Sequence, residues 1–176
     1  MIFKETPLHG AYIIQPDRIQ DARGFFARVW CAEELQRHGL KSEIAQANIG
    51  FSYKKGTLRG LHFQKSPYSE VKLVRCTKGA IFDVIVDLRP ESQTYKQWFG
   101  TELSDENRHM IYAPEGFAQG YLTLTDNVEM TYHTSRFFSA SAAFGVRFDD
   151  PAIGIVWPLT PTVVSLQDRQ WPFITV

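Results

Sequence analysis

Apolar and polar positions alternate along most of this chain in short runs, and the runs are broken by clusters of Gly, Pro, Asn and Asp. A period of two is the mark of half-buried strands. It predicts strands over Ala11–Gln15, Phe25–Trp30, Glu43–Phe51, Leu58–Gln64, Glu70–Lys78, Ala80–Leu88, Gln97–Leu103, His109–Ala113, Ala118–Thr123 and Val128–Ser135. The one early helix is Ala32–His38, stopped by His38-Gly39. Between Pro151 and Pro172 the prolines oppose long regular elements, so turns are expected there. Many short strands at this spacing predict an all-β chain, a cupin-type double-stranded β-helix (jelly roll) with few short helices, as one domain over residues 1–176.

Alternation also sorts side chains into faces, because residues two apart on a strand point the same way. In Lys72-Leu73-Val74-Arg75-Cys76, the lysine shares a face with Val74 and Cys76. In Phe82-Asp83-Val84-Ile85-Val86-Asp87, one face is Phe82, Val84 and Val86, and the other is Asp83, Ile85 and Asp87. Tyr132 falls on the face of Met130. Lys72, Asp83 and Tyr132 are therefore polar tips on partly apolar faces, as the lining of a barrel pocket requires.

Composition narrows the function classes. The 44% hydrophobic content is enough for a substantial core. The 19 basic and 19 acidic residues cancel, which leaves no global field to recruit nucleic acid or an anionic membrane. An anionic ligand must then be gripped locally. No apolar run approaches the roughly 18–20 residues of a spanning helix. Only Cys31 and Cys76 are present, and no basic-apolar leader precedes Phe3, so a cytoplasmic setting is expected.

Chemistry concentrates in Gly56-Thr-Leu-Arg-Gly-Leu-His-Phe-Gln64, where Arg59 and His62 stand three positions apart in an otherwise apolar stretch. His62 could be a core histidine bonded to a backbone carbonyl. It could equally be a general base, since imidazole titrates near physiological pH. His9 and His38 read as solvated. A metal-binding cupin would need more imidazoles: His62-Phe63-Gln64 lacks a second histidine, and Gln119 stands in the later Gly116-Phe-Ala-Gln-Gly120 segment. Amides ligate transition metals poorly, so no metal is expected. Arg23 and Arg59 each precede glycine, which permits close approach to a diphosphate while the guanidinium clamps it. Taken singly, Arg23 and Arg169 read as solvated charges. No Walker or dinucleotide-type glycine loop is present.

Through Asp21-Ala-Arg-Gly-Phe-Phe26, Gln46-Ala-Asn48, Leu58–Gln64, Lys72–Cys76, Phe82-Asp-Val84, Pro114-Glu-Gly-Phe-Ala118, Tyr132, Asp149–Ile155 and Ser165-Leu-Gln-Asp-Arg169, the chain resembles the dTDP-4-dehydrorhamnose 3,5-epimerase family, also called dTDP-4-keto-6-deoxyglucose 3,5-epimerases. The resemblance implies epimerisation at C3 and C5 of a dTDP-linked 4-keto-6-deoxyhexose in deoxysugar or rhamnose biosynthesis, without cofactor or metal. It also implies His62 as base, Asp168 as its partner, Lys72 as cation for the enolate oxygen and Tyr132 as acid. Arg23, Gln46, Asn48, Arg59, Gln119 and Arg169 would contact the nucleotide-diphospho-sugar substrate. The residues alone do not choose Asp168 over Asp83 as partner of His62. The resemblance further implies a homodimer, in which the apolar N-terminal segment Ile2–Gln15 is expected to complete a partner's sheet. Neither nucleic acid nor a membrane is implied as a partner.

Five positions depart from the family's usual residues: Gln119 for histidine, Arg28 for glutamate, Ala47 for aspartate, Phe138 for tyrosine and Gln167 for lysine. They predict altered recognition of the sugar or base, and they keep open an epimerase acting on another 4-keto sugar carried by GDP or CDP, or at one carbon only. A catalytically silent sugar-nucleotide-binding cupin is the reading from a different class.

Overall fold

The computed structural model describes residues 1–174. The strands are β1 (Ile2–Glu5), β2 (Tyr12–Gln15), β3 (Arg18–Asp21), β4 (Gly24–Ala27), β5 (Gln46–Ser52), β6 (Thr57–Gln64) and β7 (Lys72–Lys78). They continue as β8 (Ala80–Asp87), β9 (Trp98–Ser104), β10 (Met110–Ala113), β11 (Phe117–Thr123), β12 (Val128–Thr134), β13 (Ala143–Gly145) and β14 (Val163–Val164). Two short helices, α1 (Ala32–Arg37) and α2 (Leu166–Gln170), complete the set. The main sheets run β1-β2-β10-β7-β12-β5 and β13-β6-β11-β8-β9, with β14 added in parallel to β6. Among the described residues, no helix is long and apolar enough to cross a membrane.

The cupin-type jelly roll foreseen from the strand pattern is present, with differences that have physical reasons. The strand expected over Phe25–Trp30 stops at Ala27, because β4 pairs only with β3 in a separate ribbon and has no third strand to extend its ladder. The N-terminal segment folds back within its own chain, with Ile2 opposite Gln15 and Glu5 opposite Tyr12, and leaves β1 as an edge strand of the sheet. Short elements such as β13, β14 and α2 offered too few residues for a period to show.

Each sheet has an inner and an outer face, and the alternation assigns them. Val74, Cys76, Ile85, Tyr121 and Met130 meet in the core between the sheets, with Tyr132 packed against it. The outer face of the first sheet is capped by α1, whose Leu35 is buried with Leu73, Met110 and Tyr112. Glu33 and Glu34 in the first turn of α1 and Arg37 in its last suit the helix dipole. On the second sheet, Leu61, Val84, Val86 and Ala118 are covered by Val146 and Ile153.

One irregularity positions the chemistry. Strict alternation would send Arg59 and His62 to opposite faces, yet Arg59 lies opposite Tyr121 and His62 opposite Gln119. Strand β6 thus spends one more residue than β11 over this interval, a bulge that turns both side chains inward. Glycine makes it possible: Gly60 has φ +125°, and a Cβ there would lie 2.6 Å from the Gly120 Cα. A Cβ on Gly120 would in turn meet the Arg59 carbonyl at 2.7 Å. Gly60→Ala is therefore expected to destabilise the fold by about 2–5 kcal/mol, from a strained backbone and overpacking together. Urea unfolding measures this; a midpoint equal to wild type would mean that β6 and β11 can part at no cost.

Candidate active site

His62 and Asp168 are brought together from distant parts of the chain. Ser165 opens α2 by accepting the Asp168 backbone N–H on its side chain at 3.0 Å, which fixes the orientation of the first turn. The Asp168 carboxylate then lies 2.6 Å from His62 Nε2 through Oδ1, while Oδ2 accepts the Gly60 N–H at 3.3 Å. Trp171 Nε1 donates to Oδ1 at 3.2 Å. Burial alone would raise the Asp168 pKa, but the hydrogen bond and charge of His62, with Gly60 and Ser165, hold it below the ordinary carboxylate value. An ionised Asp168 accepts a hydrogen bond from Nε2–H, which fixes the proton on that nitrogen and leaves Nδ1 as the free basic nitrogen. The His62 side chain is 45% exposed.

Lys72 enters from the inner face of β7. Its Nζ donates to the His62 carbonyl at 2.9 Å and stands 3.5 Å from Glu70 Oε1. Burial pulls its pKa down, offset in part by Glu70 and Asp83. Glu70 was not foreseen, although it is the carboxylate that makes a buried lysine tolerable. Asp83, on β8, is fully buried and accepts a 2.7 Å hydrogen bond from Gln119 Nε2.

Tyr132 faces Asn48 across β12 and β5, on the same inner face as Lys72 and Val74. Burial, reinforced by Glu70 and opposed by Arg59, raises its pKa, so the phenol keeps its proton at neutral pH. Arg59 donates to Ser52 Oγ at 3.3 Å and to the Phe51 carbonyl at 3.0 Å, and among the described residues no carboxylate is bonded to it. Gln46 Oε1 accepts the Phe138 N–H at 2.6 Å, which ties the segment after β12 to β5. Gln64 does the same for that segment, donating to the Phe137 carbonyl and accepting from the Ser139 N–H. A cleft of about 910 Å³ lined by His9, His38 and Arg89 carries none of these groups on its walls.

The structure does not gather every predicted residue. Arg23 stands at the turn of the β3–β4 ribbon, its side chain 90% exposed and, among the described residues, paired with Asp21 alone at 2.5 Å. Arg169 is exposed on α2 and donates to the Val164 carbonyl at 3.5 Å. Nor do the five departures cluster. Arg28 pairs with Glu34 at 3.0 Å, Ala47 is exposed on the face opposite Gln46 and Asn48, and Phe138 and Gln167 are exposed. Of the five, only Gln119 is buried on the inner face of its own chain. Among the described residues, no three His, Cys, Asp or Glu side chains are placed to hold a metal.

Two inner faces thus present a carboxylate-oriented imidazole, a buried ammonium and a phenol that holds its proton, the groups needed to take a proton from carbon, stabilise an enolate and return a proton. The family model described as dTDP-4-dehydrorhamnose 3,5-epimerase matches residues 5–175. The chain belongs to the dTDP-4-dehydrorhamnose 3,5-epimerase family. This is a family of isomerases. A relative of that name from Methanothermobacter thermautotrophicus is 43% identical over 172 residues, covering 96% of this chain and 92% of the relative. The fold matches a crystal structure of the Bacillus anthracis enzyme of the same name, with TDP and PPi bound, at a TM-score of 0.94 and 38% identity, covering 98% of this chain and 99% of the other. The Legionella pneumophila dTDP-6-deoxy-D-glucose-3,5-epimerase, in complex with dTDP-4-keto-L-rhamnose, matches at a TM-score of 0.91 and 34% identity, covering 98% and 92%.

Proposed function

We propose that this epimerase inverts C3 and C5 of dTDP-4-keto-6-deoxy-D-glucose by proton removal and return. The observation that carries the reading is the His62–Asp168 pair at 2.6 Å, with Lys72 bonded to the carbonyl of the same histidine. Protons on carbons adjacent to the C4 ketone are acidic because the electron pair left behind delocalises onto O4. Nδ1 of His62 takes the proton, and Lys72, which has an N–H beyond those directed at Glu70 and the His62 carbonyl, meets the developing oxyanion. Tyr132 then gives its phenolic proton to the opposite face of the carbon, and the two side chains exchange protons with solvent before the next inversion. Arg59 is suited to the diphosphate, and Asn48 and Gln46 to the sugar or base.

The same reading assigns Arg23 to a partner. A two-stranded ribbon with Ile19 71% and Phe26 66% exposed is poorly satisfied alone, and the Arg23 side chain at its tip stands 90% exposed. A homodimer in which each ribbon crosses to the other protomer would cover those residues and deliver Arg23 to the diphosphate. Sedimentation showing a monomer at micromolar concentration would end that part of the proposal.

The deciding experiment is solvent-deuterium incorporation in a panel of dTDP-, GDP- and CDP-linked 4-keto sugars. Deuterium at both C3 and C5 of the dTDP-hexose, faster than in the others, is expected. Label at one carbon only, or a better GDP or CDP substrate, would replace the assignment, and no label in any would return the chain to sugar-nucleotide binding alone. In the same assay Tyr132→Phe should retain part of the exchange catalysed by His62 but lose inversion; equal loss of both would give Tyr132 a structural role.

A further inference from the structure

Asp83 is used by no step above, yet it is 0% exposed on the inner face of β8. Its Oδ2 accepts from Gln119, and its Oδ1 is buried without a hydrogen-bond partner. A carboxylate in that position would leave a charged oxygen unsatisfied, whereas a protonated carboxyl accepts from Gln119 through one oxygen and leaves only a neutral O–H at the other, a smaller cost. The ionisable groups that feel its charge are Lys72 on β7 and Tyr121 on β11. Thr101 on β9 lies opposite it and does not titrate. Lys72 already has Glu70 as counterion.

We propose that Asp83, held by Gln119, is a positioning residue that stays neutral during turnover, so that the positive charge of Lys72 is left for the substrate oxygen. This rests on the reading of Lys72 as the enolate-binding cation. With Asp83 protonated, the buried set of Lys72 and Glu70 is neutral overall and accepts one new negative charge. With Asp83 ionised, the pocket already holds an excess negative charge, Lys72 is drawn toward β8, and enolate formation is opposed. Burial, against the lesser pull of Gln119 and Lys72, raises the Asp83 pKa to about 8, which puts the change just above neutrality. Gln119 cannot itself become a cation, so it supplies no charge that would force ionisation. A protonated histidine at that position would do so.

Asp83→Asn copies the neutral acid: the amide oxygen accepts from Gln119 and the NH2 replaces the O–H. Its exchange rate should stay within about threefold of wild type at pH 7, while the wild type falls about tenfold as pH rises through the Asp83 titration and the variant does not. Gln119→His should move the wild-type fall to lower pH. Carbon-detected NMR of the Asp83 carboxyl, in protein without substrate, follows the titration independently of activity. An Asp83 already ionised at pH 6, or an alkaline fall unchanged in Asp83→Asn, overturns the proposal and assigns that limb to Lys72 or Tyr132. Loss of exchange in the wild type on every substrate would instead remove the epimerase reading and leave the NMR titration to stand.

Discussion

Replacing His62 with alanine should abolish solvent-deuterium incorporation, lowering the rate by about a thousandfold or more, in the upper part of the range for a general base whose loss leaves no substitute nearby. The fold should survive. Asp168 keeps the N–H of Gly60 and the indole N–H of Trp171, so its buried carboxylate is not left without donors. Nucleotide binding should persist too, because Arg59 is held by Ser52 and Phe51 and not by the histidine. A pH signature accompanies the loss. The Asp168 pKa is depressed in the folded protein, so the interaction stabilises above the unfolded carboxylate value and is lost as pH falls through the folded one. The stability gap between wild type and His62→Ala should thus be widest near neutrality and close in acid. Urea midpoints across pH read that gap, and wild-type deuterium exchange in the variant would remove His62 from the mechanism.

How far the sequence carried this picture depends on which physical signal each element leaves. The inner faces were legible: Lys72 with Val74, Asp83 with Ile85 and Tyr132 with Met130 all point as a period of two demands, because strands in a two-layer fold have one face in the core. The convergence of Arg59 and His62 was not, since a bulge breaks the very rule used to read faces. The paired glycines Gly60 and Gly120 were its signal, although recognising them as a pair needs the register between β6 and β11. Asp168 is a similar case. Its helix is five residues long, too short for periodicity, but Ser165 followed three positions later by Asp168 is the pattern of a helix N-terminus. What no local pattern could supply was distance: the side chains of Asp83 and Asp168 are both buried carboxylates, and only the path of the chain after β14 puts one of them against His62. The departures from the family pattern are hard to place from sequence for the related reason that position in the sequence does not report position in the pocket. Arg28 is spent on Glu34 at α1, and only Gln119 reaches the chemistry.

Lys72→Met should lower exchange by about a hundred- to a thousandfold, the loss expected when a fixed donor to a developing oxyanion is removed. The difficulty is that the same change damages the fold. Lys72 is buried beside Glu70, whose side chain is 6% exposed and whose Oε2 already lacks a partner. Removing the ammonium leaves that carboxylate buried and unpaired, at about 3–5 kcal/mol for a broken buried pair. A poorly folded variant would be inactive for an uninformative reason. The double change Lys72→Met with Glu70→Gln separates the two effects, because it removes both charges and restores neutrality. Stability should recover most of the single variant's loss, as buried pairs replaced together cost little. Activity should not recover, since no cation remains for the oxygen of the enolate. Tyr132 supplies a further readout: Glu70 raises its pKa, so in the double variant the phenol should titrate lower than in wild type. Recovery of exchange alongside stability would mean that Lys72 serves the structure alone, and the enolate charge would then have to be met by another donor of the inner faces.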